Sequence, residues 1–196
     1  MNVLIVTATN LEITSKKIEK KSILVTGLGM VNTAISLCRE LIENDYDLVI
    51  NMGIAGSFSE ELKNGDVVEV IEDSFSEIGF EDGIGFSPFV DLNVKTRHVN
   101  NAKTNLRKVT AITVNTVHGN KESIQQVTRR LNPDIETMEG AAVFQVCQDF
   151  QIPCIQIRSI SNKVEIRNKD NWNLDLAIKR LNLEVEKVID DLCDLN

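Results

Sequence analysis

The chain has 196 residues, a mass of 21.9 kDa, 42% hydrophobic and 26% charged residues, and a formal net charge of −8 with a pI near 4.9. That size fits one domain with a substantial core. The acidic balance excludes non-specific binding of nucleic acid, which needs a basic surplus to neutralise phosphates, but it leaves room for a small anionic ligand held by one or two local groups.

Val3 to Ala8 is a short apolar, β-branched run that predicts a buried strand, and Ser22 to Thr26 predicts a second. After a tight turn at Gly27-Leu28-Gly29, the apolar residues from Val31 to Ile42 recur with a helical period. Leu48 to Met52 predicts a third strand ending in a turn at Gly53-Ile54-Ala55-Gly56, and Val67 to Ile71 predicts a fourth after Asn64-Gly65-Asp66. From Glu72 to about His98 the periodicity dissolves into a long loop carrying Phe75, Phe80, Phe86 and Phe89; such a loop is either functional or an insertion pinned by its own aromatic cluster. Val109 to Val114 predicts a strand, Lys121 to Leu131 a helix, and Asn132-Pro133-Asp134 a break before a strand at Ile135. Glu139 to Phe150 predicts a helix, Cys154 to Ile160 a strand, and Leu174 to Leu192 a long amphipathic helix. The alternation predicts an α/β fold: one domain over 1–196, with a mixed, mostly parallel, open sheet flanked by helices on both faces.

Cys38, Cys147, Cys154 and Cys193 form no CxxC pair, and neither His98 nor His118 lies near a cysteine in sequence. No metal site is expected, and a reduced, cytoplasmic setting fits better than a disulfide framework. Met1 to Ala8 carries no basic leader, and no apolar stretch approaches membrane-spanning length. Gly27-Leu28-Gly29 falls short of a dinucleotide fingerprint because Asn32 occupies the third glycine position. No P-loop, nucleophile elbow or catalytic cysteine–histidine pairing is present.

The residues that carry chemistry are Glu12, Gly53-Ile54-Ala55-Gly56, Met138-Glu139 and Ser161-Asn162. Each is predicted to follow a strand, so all can converge at one edge of the sheet, where α/β folds bind ligands. With Gly27-Leu28-Gly29-Met30-Val31-Asn32, Asn51-Met52-Gly53-Ile54-Ala55-Gly56, Leu62-Lys63-Asn64-Gly65-Asp66, Met138-Glu139-Gly140-Ala141-Ala142 and Arg158-Ser159-Ile160-Ser161-Asn162 in order, the chain resembles the nucleoside phosphorylase/nucleosidase superfamily over almost its whole length. It is most similar to the hydrolytic branch, which includes methylthioadenosine/S-adenosylhomocysteine nucleosidases and futalosine hydrolases. Ser161-Asn162-Lys163-Val164-Glu165-Ile166-Arg167-Asn168 with Trp172, Thr113-Val114-Asn115-Thr116-Val117 and the Ile78–Gly83 loop resemble the futalosine type.

The resemblance implies roles. Cleaving an N-glycosidic bond builds positive charge on the ribose and negative charge on the departing purine, and an enzyme should stabilise both. Glu139 would accept hydrogen bonds from the ribose hydroxyls, kept ionised by its place at a helix start. Glu12 would be the general base for the attacking water; read without the resemblance it is a surface glutamate in the first turn of a helix. Asn162 stands where adenosine-type enzymes have an aspartate, and its NH2 suits N7 and O6 of a 6-oxopurine. Ala8, Leu28, Ile54, Ala55, Gly56, Phe80, Thr116, Val117, Met138 and Ser161 are the implied substrate contacts. Asn51 and Ile54 occupy positions where phosphorylases carry an arginine and a serine for phosphate, so water is the expected nucleophile. The implied activity is hydrolysis of futalosine, an inosine bearing a benzoate-tipped 5′ chain made during menaquinone synthesis, to release hypoxanthine. Arg97, His98, Arg167 and His118 are candidate benzoate partners. Neither a cofactor nor a nucleic-acid or membrane partner is implied, and the resemblance implies a homodimer or larger homo-oligomer. The alternatives are an adenine-releasing nucleosidase on aminofutalosine or methylthioadenosine, an inosine-type phosphorylase, and a nucleoside-binding protein without turnover.

Overall fold

The computed structural model describes residues 1–194 apart from 84, 90 and 91, and excludes the side chains of 193 and 194. The strands are β1 (Val3–Thr7), β2 (Ser22–Val25), β3 (Leu48–Ser57), β4 (Val67–Phe75), β5 (Gly79–Glu81), β6 (Phe86–Pro88), β7 (Arg97–Val99), β8 (Arg107–Thr113), β9 (Ile135–Thr137) and β10 (Cys154–Lys163). The helices are α1 (Met30–Glu43), α2 (Lys121–Leu131), α3 (Gly140–Asp149) and α4 (Leu174–Asp194).

β1 is buried throughout, and its side chains alternate between two apolar layers. Leu4 and Val6 pack with Leu37 and Leu41 of α1 and Val143, Phe144 and Cys147 of α3. Val3 and Ile5 face the other side, with Ile50, Ile155 and Ile157 under Leu181, Val185 and Ile189 of α4. Helices therefore cover both faces, as the apolar runs require. α1 starts at Gly29, whose φ of +89° is open to glycine at little cost.

Among the described residues the main sheet has eight strands, and its β1–β2, β1–β3, β3–β10, β4–β8 and β8–β9 pairs are parallel. β4–β10, β3–β9 and β4–β7 are antiparallel. The expected open sheet is instead closed: β3, β10, β4, β8 and β9 pair in a ring, with β1 and β2 extending from β3. Closure depends on strand length. The first half of β3 pairs with β1 and its last residues with β9.

That length is also where the expected boundaries fail. Gly53-Ile54-Ala55-Gly56 is not a turn but the second half of β3, held by β10 along its whole length. β4 runs through Glu72, Asp73 and Ser74 to Phe75, and β10 runs past Ile160 to Lys163. These stretches lose their apolar pattern because their side chains serve a polar interior, while the backbone ladder continues. The stretch expected as a loop to His98 contains the β5–β6 hairpin and β7, which pairs with β4. Its phenylalanines pack locally: Phe75 edge-on to His98, Phe80 against Phe89, each pair at 5.5 Å, and Phe86 beneath Arg130.

Candidate active site

A cavity of about 330 Å3 opens where β1, β3, β9 and β10 end, closed by the start of α4. It is within the size range of small-molecule sites. Ala8, Glu12, Leu28, Ile54, Ala55, Gly56, Val117, Met138, Glu139, Ser161 and Asn162 all line it. Two of the expected contacts do not. Thr116 is exposed beside Val117, and Phe80 lines a separate hollow with Phe86, His118 and Arg130.

Glu12 ends a short 3-10 turn after β1 and is buried, not the exposed helical residue its sequence context alone suggests. Its Oε2 accepts from the Thr7 hydroxyl at 2.6 Å and from the Ala8 and Thr9 amides at 3.1 Å. Its Oε1 accepts only a longer contact, 3.3 Å, from the Ile54 amide. One oxygen is thus saturated by its own loop, and the other retains capacity for an incoming donor.

Glu139 precedes the first turn of α3 but does not cap it; its Oε1 instead accepts from the Gly29 amide at 3.0 Å. Burial pushes its pKa above the ordinary glutamate value, Arg158 and the Gly29 amide pull it down, and Glu12 adds to the rise. Burial thus opposes the ionisation that a place at a helix start favours. Asn162 lies beyond a bulge in β10, where the register slips between Ile160 and Asn162. The Ser161 hydroxyl donates to Asn162 Oδ1 at 2.7 Å, and Asn162 Nδ2 donates to the Lys163 carbonyl at 2.8 Å. The amide is thereby held with one N–H left for a ligand.

Sequence reasoning missed the layer beneath. Arg158 is 2% exposed and donates through Nη2 to Asn51 and, at 3.0 Å, to Gln156 Oε1. Gln156 donates in turn to Asp73 at 3.0 Å, and Thr113 donates to the other Asp73 oxygen at 2.9 Å. Complete burial raises the Asp73 pKa from 3.8 to about 6, against the pull of those two hydrogen bonds and of Arg158. Gly53 makes room for this layer: a Cβ there would lie 2.1 Å from Arg158 Nη1 and 2.9 Å from Glu12 Oε1. Thr9, Leu11, Glu136, Thr137, Trp172, Leu174 and Ile178 also line the cavity without having been assigned. For Trp172 a signal existed, its place in the motif after Asn162.

Of the candidate benzoate partners, Arg97 is paired with Glu72 and His98 is buried against Gln148, both on β7 and neither lining the cavity. His118 is bonded to Glu136, and Arg167 sits 5.0 Å over the ring of Trp172. Among the described residues no lysine or arginine lines the cavity, no group of three or more histidines, cysteines or acidic residues is placed to hold a metal ion, and no helix is long and apolar enough to cross a membrane.

The sheet carries helices on both faces and presents two buried carboxylates, Glu12 and Glu139, and the Asn162 carboxamide around one cavity. Residues 7–191 match the model of the phosphorylase superfamily, and the chain belongs to that family. It is 25% identical over 179 residues to a futalosine hydrolase of Thermus thermophilus, covering 85% of this chain and 80% of that one. It is 33% identical over 154 residues to a 5′-methylthioadenosine/S-adenosylhomocysteine nucleosidase of Marinomonas, covering 71% and 67%. The structure of the Neisseria meningitidis 5′-methylthioadenosine/S-adenosylhomocysteine nucleosidase in complex with methylthio-immucillin-A superposes with a TM-score of 0.80 at 18% identity, over 96% of this chain and 98% of that one, a likeness of fold. These curated relatives are N-glycosidic hydrolases, and the chain is a nucleosidase of that class.

Proposed function

We propose that the chain hydrolyses futalosine, releasing hypoxanthine, in the cytoplasmic synthesis of menaquinone. The observation that carries this reading is the lining of one cavity by Glu12, Glu139 and Asn162, with no lysine or arginine lining it among the described residues. Glu139 accepts from the ribose 2′- and 3′-hydroxyls and faces the positive charge that grows on the sugar. Water held at Glu12 Oε1 attacks C1′, and its proton passes to that carboxylate. The C1′–N9 electron pair leaves with the purine, whose developing charge at N7 and O6 is met by the one remaining N–H of the Asn162 amide, shared between them. Asn51, which stands where phosphorylases have an arginine, is tied to Arg158 and to the Val6 carbonyl and offers nothing to phosphate. Arg167 over Trp172 is the cation best placed to meet a benzoate at the cavity mouth.

Exposed Leu28, Val31, Ile35 and Ile42 run from the cavity mouth along α1, and a second copy of the chain covers this strip in the proposed homodimer. The free thiols of Cys38, Cys147 and Cys154 support a reducing compartment. The second reading, adenine release from methylthioadenosine, is favoured by the identity to the Marinomonas relative. Incubation with futalosine, inosine and methylthioadenosine in phosphate-free buffer decides between them. Hypoxanthine released fastest from futalosine supports the proposal, and adenine from methylthioadenosine alone refutes it.

A further inference from the structure

The chain around Glu12 is held from two sides. Upstream, Glu12 Oε2 is bound by the Thr7 hydroxyl and the Ala8 and Thr9 amides, at the end of β1. Downstream, residues 13–17 leave the sheet and join two 3-10 turns, Asn10–Glu12 and Ile18–Lys20. No strand ladder serves this stretch, so its backbone groups need partners of another kind. Oε1, the oxygen proposed to take the water, has the 3.3 Å contact with the Ile54 amide as its tether. Its place in the cavity is therefore set largely by the backbone beneath it.

α4 supplies the missing partners. Asn182 is 4% exposed, beside the apolar face of Ala177, Leu181 and Val185. Its Oδ1 accepts from the Thr14 amide at 2.9 Å and the Ser15 amide at 3.1 Å, and its Nδ2 donates to the Glu12 carbonyl at 2.9 Å. The second Nδ2 proton goes to the Ile178 carbonyl at 2.8 Å, one turn back along α4, which fixes the rotamer. Both acceptor sites and both protons of the carboxamide are used, and a flipped amide would set Nδ2 against two donors. Glu186 and Asp190 continue the same stripe at four-residue spacing and accept from the Ser15 hydroxyl and the Lys17 ammonium. Of the three, Asn182 is the one bonded to the residue that carries the proposed base. The same helix places Leu174 and Ile178 in the cavity wall.

We propose that Asn182 is a positioning residue for hydrolysis: through the Glu12 carbonyl and the Thr14 and Ser15 amides it sets where Glu12 Oε1 stands in the cavity. The inference rests on the reading of Glu12 as the base that activates water. Removing the carboxamide strips one carbonyl and two amides of their partner, and the loop must shift or take up water to satisfy them. A displacement of about 1 Å at a reacting group costs on the order of 100-fold in rate. Glu139 and Asn162, which hold the nucleoside, are fixed by other groups, the Gly29 amide for the first and Ser161 and Lys163 for the second. The loss therefore falls on kcat and spares KM.

The test is Asn182→Ala, assayed as release of free base from whichever nucleoside the unaltered protein cleaves fastest. kcat should fall at least about tenfold while KM changes less than about threefold; an unaltered kcat, or a loss confined to KM, overturns the assignment. A double-mutant cycle separates positioning from general loosening. In a Glu12→Gln background the same substitution should change kcat less than about twofold, and an equal loss in both backgrounds overturns the assignment. A further measurement needs no variant. In the unaltered protein the Thr14 and Ser15 amides should exchange with deuterium about as slowly as the amide of buried Leu181, and exchange as fast as that of exposed Gly83 overturns the assignment. Glu12→Gln with kcat undiminished sinks the reading of Glu12 as the base. A loss in Glu12→Gln beside an unaltered Asn182→Ala sinks only the role of Asn182.

Discussion

Replacing Gly53 with alanine is a one-carbon perturbation of the proposed water site. The added Cβ would meet Arg158 Nη1 at 2.1 Å and Glu12 Oε1 at 2.9 Å, so the guanidinium has to withdraw by at least about 1.3 Å to reach ordinary contact at 3.4 Å. It has nowhere to go, being buried and bonded through Nη2 to Asn51 and through Nη2 and Nε to Gln156. Overpacking costs about 1–3 kcal/mol and a weakened charged hydrogen bond a further ~1–3. A loss of about 2–6 kcal/mol and a Tm lowered by roughly 4–24 °C follow for a chain of this length. Displacing Glu12 Oε1 by a fraction of an ångström to 1 Å should lower kcat/KM on the order of 100-fold. Calorimetry on the variant and initial rates of hypoxanthine release measure the two effects separately. A Gly53→Ala protein with unaltered Tm and kcat/KM refutes the packing of Arg158 and Glu12 about Gly53.

Asn162→Asp should shift the preference toward 6-amino bases, measured as competing hypoxanthine and adenine release, and an unaltered ratio removes Asn162 from base recognition. Because burial raises the Glu139 pKa and the reaction requires its carboxylate, the acid limb of kcat/KM against pH should fall above the ordinary glutamate value of 4.5; a limb at or below that value contradicts this. Asp73 binds its proton more tightly folded than unfolded, so its contribution to stability is lost as pH rises from about 4 to about 6 and is constant outside that window. A shift of two pKa units corresponds to about 3 kcal/mol. Urea unfolding across that range should show the unaltered protein losing stability, relative to Asp73→Asn, by an amount of that order, and parallel curves would show that Asp73 is not so perturbed.

The parts of the fold that were legible are those in which side-chain pattern and backbone state agree. β1 is buried at every position and apolar from Val3 to Val6, and α2 matches the helix expected from Lys121 to Leu131. Legibility failed where a strand carries polar cargo. Asp73 reads as loop composition, yet it is a buried strand residue whose charge is met by Gln156 and Thr113 from neighbouring strands, contacts that no local window contains. Gly53 and Gly56 read as a turn because glycine usually marks one; here they are strand residues whose missing side chains admit Arg158 and Glu12 at the first and Val164 and Asn162 at the second. Of the proposed site, Glu12, Glu139 and Asn162 were found through the family's motifs, and the structure places them around one cavity. Glu136 lines the cavity in register with Gly56 and bonded to His118, contacts that its place in a short strand does not reveal. Phe80 was drawn in by its loop's resemblance to family motifs, but its ring packs on Phe89.

A crystal structure with a non-hydrolysable C-nucleoside analogue of inosine tests the account most directly. The ribose hydroxyls should lie at hydrogen-bond distance from Glu139, about 2.6–3.0 Å, with the remaining N–H of the Asn162 amide on the N7 and O6 edge of the base. An analogue bound in another cavity, or with its ribose away from Glu139, contradicts the account.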